Sequence, residues 1–233
     1  MHLLFLTFRN RVGMRRGLRG KEKAMAELWK TERTVITVQH TESVHHTNGH
    51  VGAWGDWPLS ERGMEQAREV GKWLQTEGVN SDYTMLVSDL KRASMTAEGI
   101  NETLGLTPVY RPVIREVNAG EGNGKPWEWF AEHRNPPKDE FDPDYRPFPD
   151  AESDRDVWAR LQPFYEEITT KTEGNLLIVS HGTALSFLQA MLLGMTLEDR
   201  GRVRFRGKAG SVSRFGINKD GSVTVYYLNR TVW

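Results

Sequence analysis

Two periods of hydrophobic and polar positions run along this chain. Thr34 to Gln39 (TVITVQ) is a β-branched run and predicts a buried strand. Gly63 to Gln75 repeats apolar residues at Met64, Ala67, Val70, Trp73 and Leu74, a helical period that Ser60 can cap. Tyr83 to Val87 predicts a second strand, Leu90 to Leu104 a helix stopped by Gly105, and Thr107 to Tyr110 a short third strand. Helical spacing returns from Ser153 to Lys171 through Val157, Leu161, Phe164 and Ile168. NLLIVS, Asn175 to Ser180, is the clearest buried strand, and the apolar helix Ala184 to Leu193 follows it. Ser211 to Ile217 and Val223 to Leu228 predict a hairpin joined by NKDGS. Val44 to Pro58 and Val113 to Lys125 read as loops. NPPKDEFDPDYRPFPD crowds prolines, aromatics and acids, so residues 126–150 predict an irregular flap.

Strands that alternate with helices predict an α/β fold, a three-layer α/β/α sandwich with a largely parallel sheet. Such sheets bind ligands beyond the carboxyl ends of their strands. His40 and His181 each stand immediately after a predicted strand, and so mark one candidate site.

Composition narrows the classes. With 27% charged and 38% hydrophobic residues and no formal net charge, the chain reads as a globular protein without a global signal for nucleic acid. The absence of cysteine excludes disulfides and thiolate chemistry and fits a reducing cytoplasm. Residues 1–30 read as a disordered basic extension, carrying Arg9, Arg11, Arg15, Arg16, Arg19, Lys21 and Lys23 against Glu22. Met25 offers an alternative start. The apolar run Leu3 to Phe8 is too short for a membrane span and precedes the positive charge, the reverse of a secretory signal. Residues 31–233 read as one domain bearing the flap, and no membrane partner is expected.

Five stretches in order carry a family resemblance: QHTES with DWPLSERGMEQA, SDLKRASMTA, IREVNAGEGNGK, DAESDRD and VSHGTALSFLQAMLLG. Together they resemble the histidine phosphatase superfamily, the phosphoglycerate-mutase-like fold, over roughly Thr34 to Leu228. The resemblance implies that His40 attacks phosphorus, that His181 contacts the transferring group, and that Glu116 shuttles the leaving-group proton. It assigns Gln39, Thr41, His46, Gly52, Ala53, Arg92 and Gly182 to substrate binding. It implies a small phosphate ester as partner and neither metal nor cofactor, because arginines and imidazoles can stabilise the equatorial oxygens.

Two departures stand out. Gln39 occupies the family's arginine position and Thr41 its glycine. Gln39 can donate a hydrogen bond to phosphate but brings no charge. Either a protonated His45 or His46 returns that charge, making activity pH-sensitive, or catalysis is weakened. Three rival readings remain: a phosphoglycerate-type mutase, whose usual Asn-Glu-Arg-x-Tyr-Gly loop is absent; a non-catalytic phospho-ligand binder; and a metal site of His40, His45, His46 and His50, which falls in a loop without cysteine. Trp54, Trp57, Trp127 and Trp129 either line the substrate pocket or pack the loops.

Overall fold

The computed structural model describes residues 33–233; the basic extension expected over 1–30 lies outside the described residues. Six strands form one sheet: β1 (Arg33–Gln39), β2 (Tyr83–Val87), β3 (Pro108–Tyr110), β4 (Asn175–Ser180), β5 (Val212–Ile217) and β6 (Val223–Arg230). Their order is β3-β2-β4-β1-β5-β6. β3, β2, β4 and β1 run parallel, whereas β5 pairs antiparallel with both β1 and β6. The sheet is therefore mixed, with a parallel majority and an antiparallel margin.

Helices cover both faces. α1 (Glu61–Thr76) and α2 (Lys91–Leu104) lie on one side, where Val70, Leu74, Ala97 and Ile100 pack against Ile36, Val38, Met85 and Leu177. α4 (Asp154–Glu166) and α5 (Gly182–Leu192) lie on the other, with Leu161, Phe164, Phe187 and Leu188 against Val35, Leu176, Ile178 and Phe215. Alternate residues of β1 and β4 thus feed opposite cores, as the pleat requires when both faces are covered. Among the described residues no helix is long and apolar enough to cross a membrane.

Local signals explain the ends. Ser60 accepts the Gly63 N–H at 3.0 Å and starts α1. Gly105, at φ 64, closes α2 in the left-handed region. The helix expected over 153–171 is regular only to Glu166. Pro163 sits inside it, and Glu167–Lys171 continues as a wider π-type turn. The flap also differs from expectation, because Trp127–His133 forms a short helix, α3. Pro126 can begin a helix since its missing N–H has no intrahelical role there. Trp129 and Phe130 anchor α3 on Phe148, with ring centroids 5.7 and 5.3 Å away.

The candidate active site

The parallel strands β1, β2 and β4 end at one edge of the sheet. A cavity of about 1010 Å³ opens there. Its lining includes Gln39, His40, His46, Gly52, Ala53, Arg92, Glu116 and Gly182 from the expected site. The flap contributes Trp127, Phe130, Tyr145 and Pro147, and the segment before β5 contributes Arg204 and Arg206.

His40 lies at the cavity floor, 3% exposed. Its Nδ1 is 2.8 Å from the Thr41 carbonyl, which can only accept, so the ring proton sits on Nδ1. Nε2 therefore carries a lone pair. Arg92 Nε donates to that atom at 3.1 Å, while Nη1 and Nη2 donate to the Gly55 and Ala53 carbonyls at 2.9 and 2.7 Å. Arg92 is locked by three acceptors and 1% exposed. Burial lowers its pKa to about 10, which leaves it charged near neutrality. Burial first, then the Arg92 charge, hold His40 well below the usual histidine value. A neutral imidazole with a free Nε2 pair is the nucleophilic form.

His181 is fully buried beside it, ring centroids 5.2 Å apart. Its Nε2 lies 2.8 Å from Ser88 Oγ. Among the described residues the Ser88 hydroxyl has no other acceptor, so it donates to Nε2 and the proton of His181 resides on Nδ1. That Nδ1 has no partner. His181 does not line the open cavity. It stands beside His40 with one unmet donor, and burial with the Arg92 charge lowers its pKa well below 6.5.

His45 and His46 both line the cavity, but the protonated form expected of one of them is not favoured. Burial, then His46 and Arg92, lower His45 to about 3. Burial and Arg92 also lower His46, with Glu42 opposing, although that ring keeps substantial contact with solvent. Ser43 fixes both rings. Its N–H donates to His46 Nδ1 at 3.2 Å, which puts the His46 proton on Nε2. Its hydroxyl donates to the Pro58 carbonyl at 2.7 Å and so accepts from His45 Nδ1 at 3.0 Å. The nitrogens of His40, His45 and His46 come within 4.8 Å of one another, as a metal triad would require. The donor set does not fit a metal. His46 presents an N–H, not a lone pair, and His45 Nε2 packs against Gly52, where an added Cβ would stand 2.7 Å away. His50 is outside the cavity, its Nδ1 bonded to the Asn48 carbonyl at 2.8 Å.

Glu116 lines the cavity and caps α5. Oε2 accepts from Thr183 N at 3.0 Å, and Oε1 accepts from Ala184 N at 3.0 Å and Val117 N at 2.9 Å. The carboxyl group thus accepts three N–H bonds at a helix amino end. Oε2, with one N–H, is the less occupied oxygen. Arg160 and Glu152 hold this loop. Arg160 bonds Glu152 at 2.6 and 2.9 Å and reaches the carbonyls of Val113, Arg115 and Glu116. The sequence reading gave neither residue a role.

Thr41 does not reach the cavity. It is fully buried, its N–H donates to Thr96 Oγ1 at 3.1 Å and its hydroxyl to the Gly63 carbonyl at 2.8 Å. Of Trp54, Trp57, Trp127 and Trp129, only Trp127 lines the cavity. Trp54 Nε1 donates to the Glu116 carbonyl, Trp57 Nε1 to the Val51 carbonyl, and Trp129 stacks on His133.

Known proteins share this fold and sequence pattern. The model of the histidine phosphatase superfamily (branch 1) matches residues 35–230. A 2,3-bisphosphoglycerate-dependent phosphoglycerate mutase of Methylorubrum extorquens is 27% identical over 184 residues, covering 71% of this chain and 81% of its own. The alpha-ribazole phosphatase of Shigella flexneri shares the fold at TM-score 0.70 and 24% identity, over 85% of this chain and 97% of that one. A mycobacterial glucosyl-3-phosphoglycerate phosphatase superposes at TM-score 0.67 and 20% identity, over 84% and 98%. With the family's motifs brought to one sheet edge around His40, the chain belongs to the histidine phosphatase superfamily.

Proposed function

We propose that this protein is a phosphomonoester hydrolase that works through a phosphohistidine on His40, acting on a small phosphorylated metabolite. The observation that carries this reading is the tautomer of His40: Nδ1–H is spent on the Thr41 carbonyl, and the Nε2 lone pair faces a charged Arg92 at the cavity floor. Attack by Nε2 on phosphorus expels the ester oxygen, and Arg92 Nε transfers its hydrogen bond from Nε2 to a phosphoryl oxygen. The Nε2–H of His46 supplies a neutral hydrogen bond to the same group, and His181, with its Nδ1 unpartnered beside His40, is the further donor that the family resemblance assigns to it. Glu116 Oε2 gives a proton to the leaving oxygen in the first half and takes one from water in the second. Water then cleaves the P–N bond and releases inorganic phosphate.

A cavity of about 1010 Å³, at the upper end of small-molecule sites, with one aromatic wall from the flap, favours a small organic phosphate over a macromolecular one. The test is hydrolysis of an aryl phosphate by wild type and His40→Ala, with quench in alkaline denaturant and mass analysis of the His40 peptide. Expected are loss of turnover in the variant and an acid-labile phosphoryl group on His40 in wild type. Phosphate binding without turnover favours the pseudoenzyme reading, and phosphoryl transfer between glycerate hydroxyls favours the mutase.

A further inference from the structure

Gln39 is enclosed. Its N–H donates to the Ser211 carbonyl at 3.0 Å, and Gly210 N–H is shared between the carbonyls of Gln39 and His40, each at 3.1 Å. Two glycines pack against its carboxamide. An added Cβ at Gly182 would stand 3.3 Å from Nε2, and one at Gly207 would stand 3.0 Å from Oε1 and 2.2 Å from Ser211 Oγ. The segment leading into β5 therefore closes directly over the position where the family carries its arginine.

Four arginines line the cavity. Arg92 is committed to three acceptors. Arg200 is 3% exposed, donates to Ser186 Oγ at 3.0 Å, lies 3.5 Å over the Phe187 ring and pairs with Asp154 at 3.8 Å. Arg204 shares the field of the same Asp154, whose carboxyl burial pushes up and both arginines pull down. Arg206 has no hydrogen bond or ion pair among the described residues, and it directly precedes the glycine that abuts Gln39. Nearby acids do not neutralise it, because Glu116 caps α5 and Glu152 is held by Arg160. His40, His45 and His46 are neutral at neutral pH, so they leave the deficit at position 39 unfilled.

We propose that Arg206 binds the phosphoryl oxygens of a phosphate monoester and supplies from the strap before β5 the positive charge that Gln39 lacks. This rests on the phosphatase reading for its substrate class, but not on turnover. In the family pattern the cation is carried on β1. Here it is carried on the strap that closes over β1, and Gly207 lets that strap approach.

The test measures binding of inorganic phosphate and of orthovanadate by calorimetry, with aryl phosphate turnover on the same samples. The proteins are wild type, Arg206→Gln, Arg206→Gln with Gln39→Arg, and Arg202→Gln, an exposed arginine outside the cavity. Loss of one charge-assisted hydrogen bond weakens binding about ten- to a hundredfold in Arg206→Gln. Gln39→Arg restores at least half of that loss on a logarithmic scale, and Arg202→Gln matches wild type. Binding by Arg206→Gln within twofold of wild type overturns the proposal, as does a loss that Gln39→Arg leaves unrelieved. Arg206-dependent binding without turnover of any ester supports the proposal and overturns the hydrolase reading. Failure of wild type to bind either anion overturns both.

Discussion

Replacing Arg160 with methionine tests how the Glu116 loop is held. Arg160 and Glu152 are 18% and 16% exposed and meet through two bonds of 2.6 and 2.9 Å. The same guanidinium reaches three carbonyls, of Val113, Arg115 and Glu116, at 2.6, 3.1 and 3.3 Å. Arg160→Met leaves the Glu152 carboxylate largely buried, with Asn118 N–H at 2.8 Å as its remaining close donor. Breaking one side of a buried pair costs about 3–5 kcal/mol. Residual solvent access and the packing of the methionine stem place this case near the lower figure, about 3 kcal/mol. With a urea m-value of about 2 kcal/mol/M, the unfolding midpoint falls by about 1.5 M. Arg160→Met/Glu152→Met removes the stranded charge and recovers part of the loss, which makes the coupling measurable. A loss below about 1 kcal/mol in the single variant, the range of an exposed ion pair, refutes the view that this pair fixes the loop.

Two more outcomes follow from packing and protonation. An added Cβ at Gly63 would stand 1.9 Å from the Glu42 carbonyl oxygen, so Gly63→Ala forces α1 away from the loop that follows His40; a cost of about 3 kcal/mol lowers the melting temperature by about 6–12 °C, and a change under about 2 °C contradicts the contact. His40 and His181 are fully buried with pKa values well below 6.5, so the unfolded chain takes up protons below that value while the folded chain does not. Stability is therefore complete above about pH 6.5 and declines as pH falls, by up to about 1.4 kcal/mol per unit for each histidine. Urea midpoints that stay flat from about pH 7 to about pH 5, above the range of most carboxylates, refute that burial argument.

The strands were legible because each is a short apolar run between turn residues. Tyr83–Val87 and Asn175–Ser180 are found as read, and β1, β3 and β5 differ by one residue at their starts. α3 was hidden because its seven residues carry two tryptophans and a phenylalanine between proline-rich flanks, too short for a period to show. The site residues were legible as types, but their protonation was not. The proton of His46 depends on the Ser43 backbone, and the charge of His45 depends on burial beside Arg92. Arg160 was invisible for a related reason, since its partners lie in loops 8 to 47 residues away. Arg206 left no pattern because it stands in an alternating basic run, Arg200, Arg202, Arg204, Arg206 and Lys208, in which nothing marks the member that faces the cavity.

β1 has a consequence for synthesis. Its neighbours are both distant: Val35 lies opposite Leu176 on one side and Phe215 on the other. The strand that leads into His40 is the first described segment to leave the ribosome, yet its sheet partners arrive about 140 and about 180 residues later. Such long-range closure is slow and yields nothing until both ends are present. A nascent chain or a fragment truncated before Ser211 lacks the β5 strap that holds Gln39 and His40 in place. The edge around His40 therefore closes only once Gly210 and Ser211 have been made.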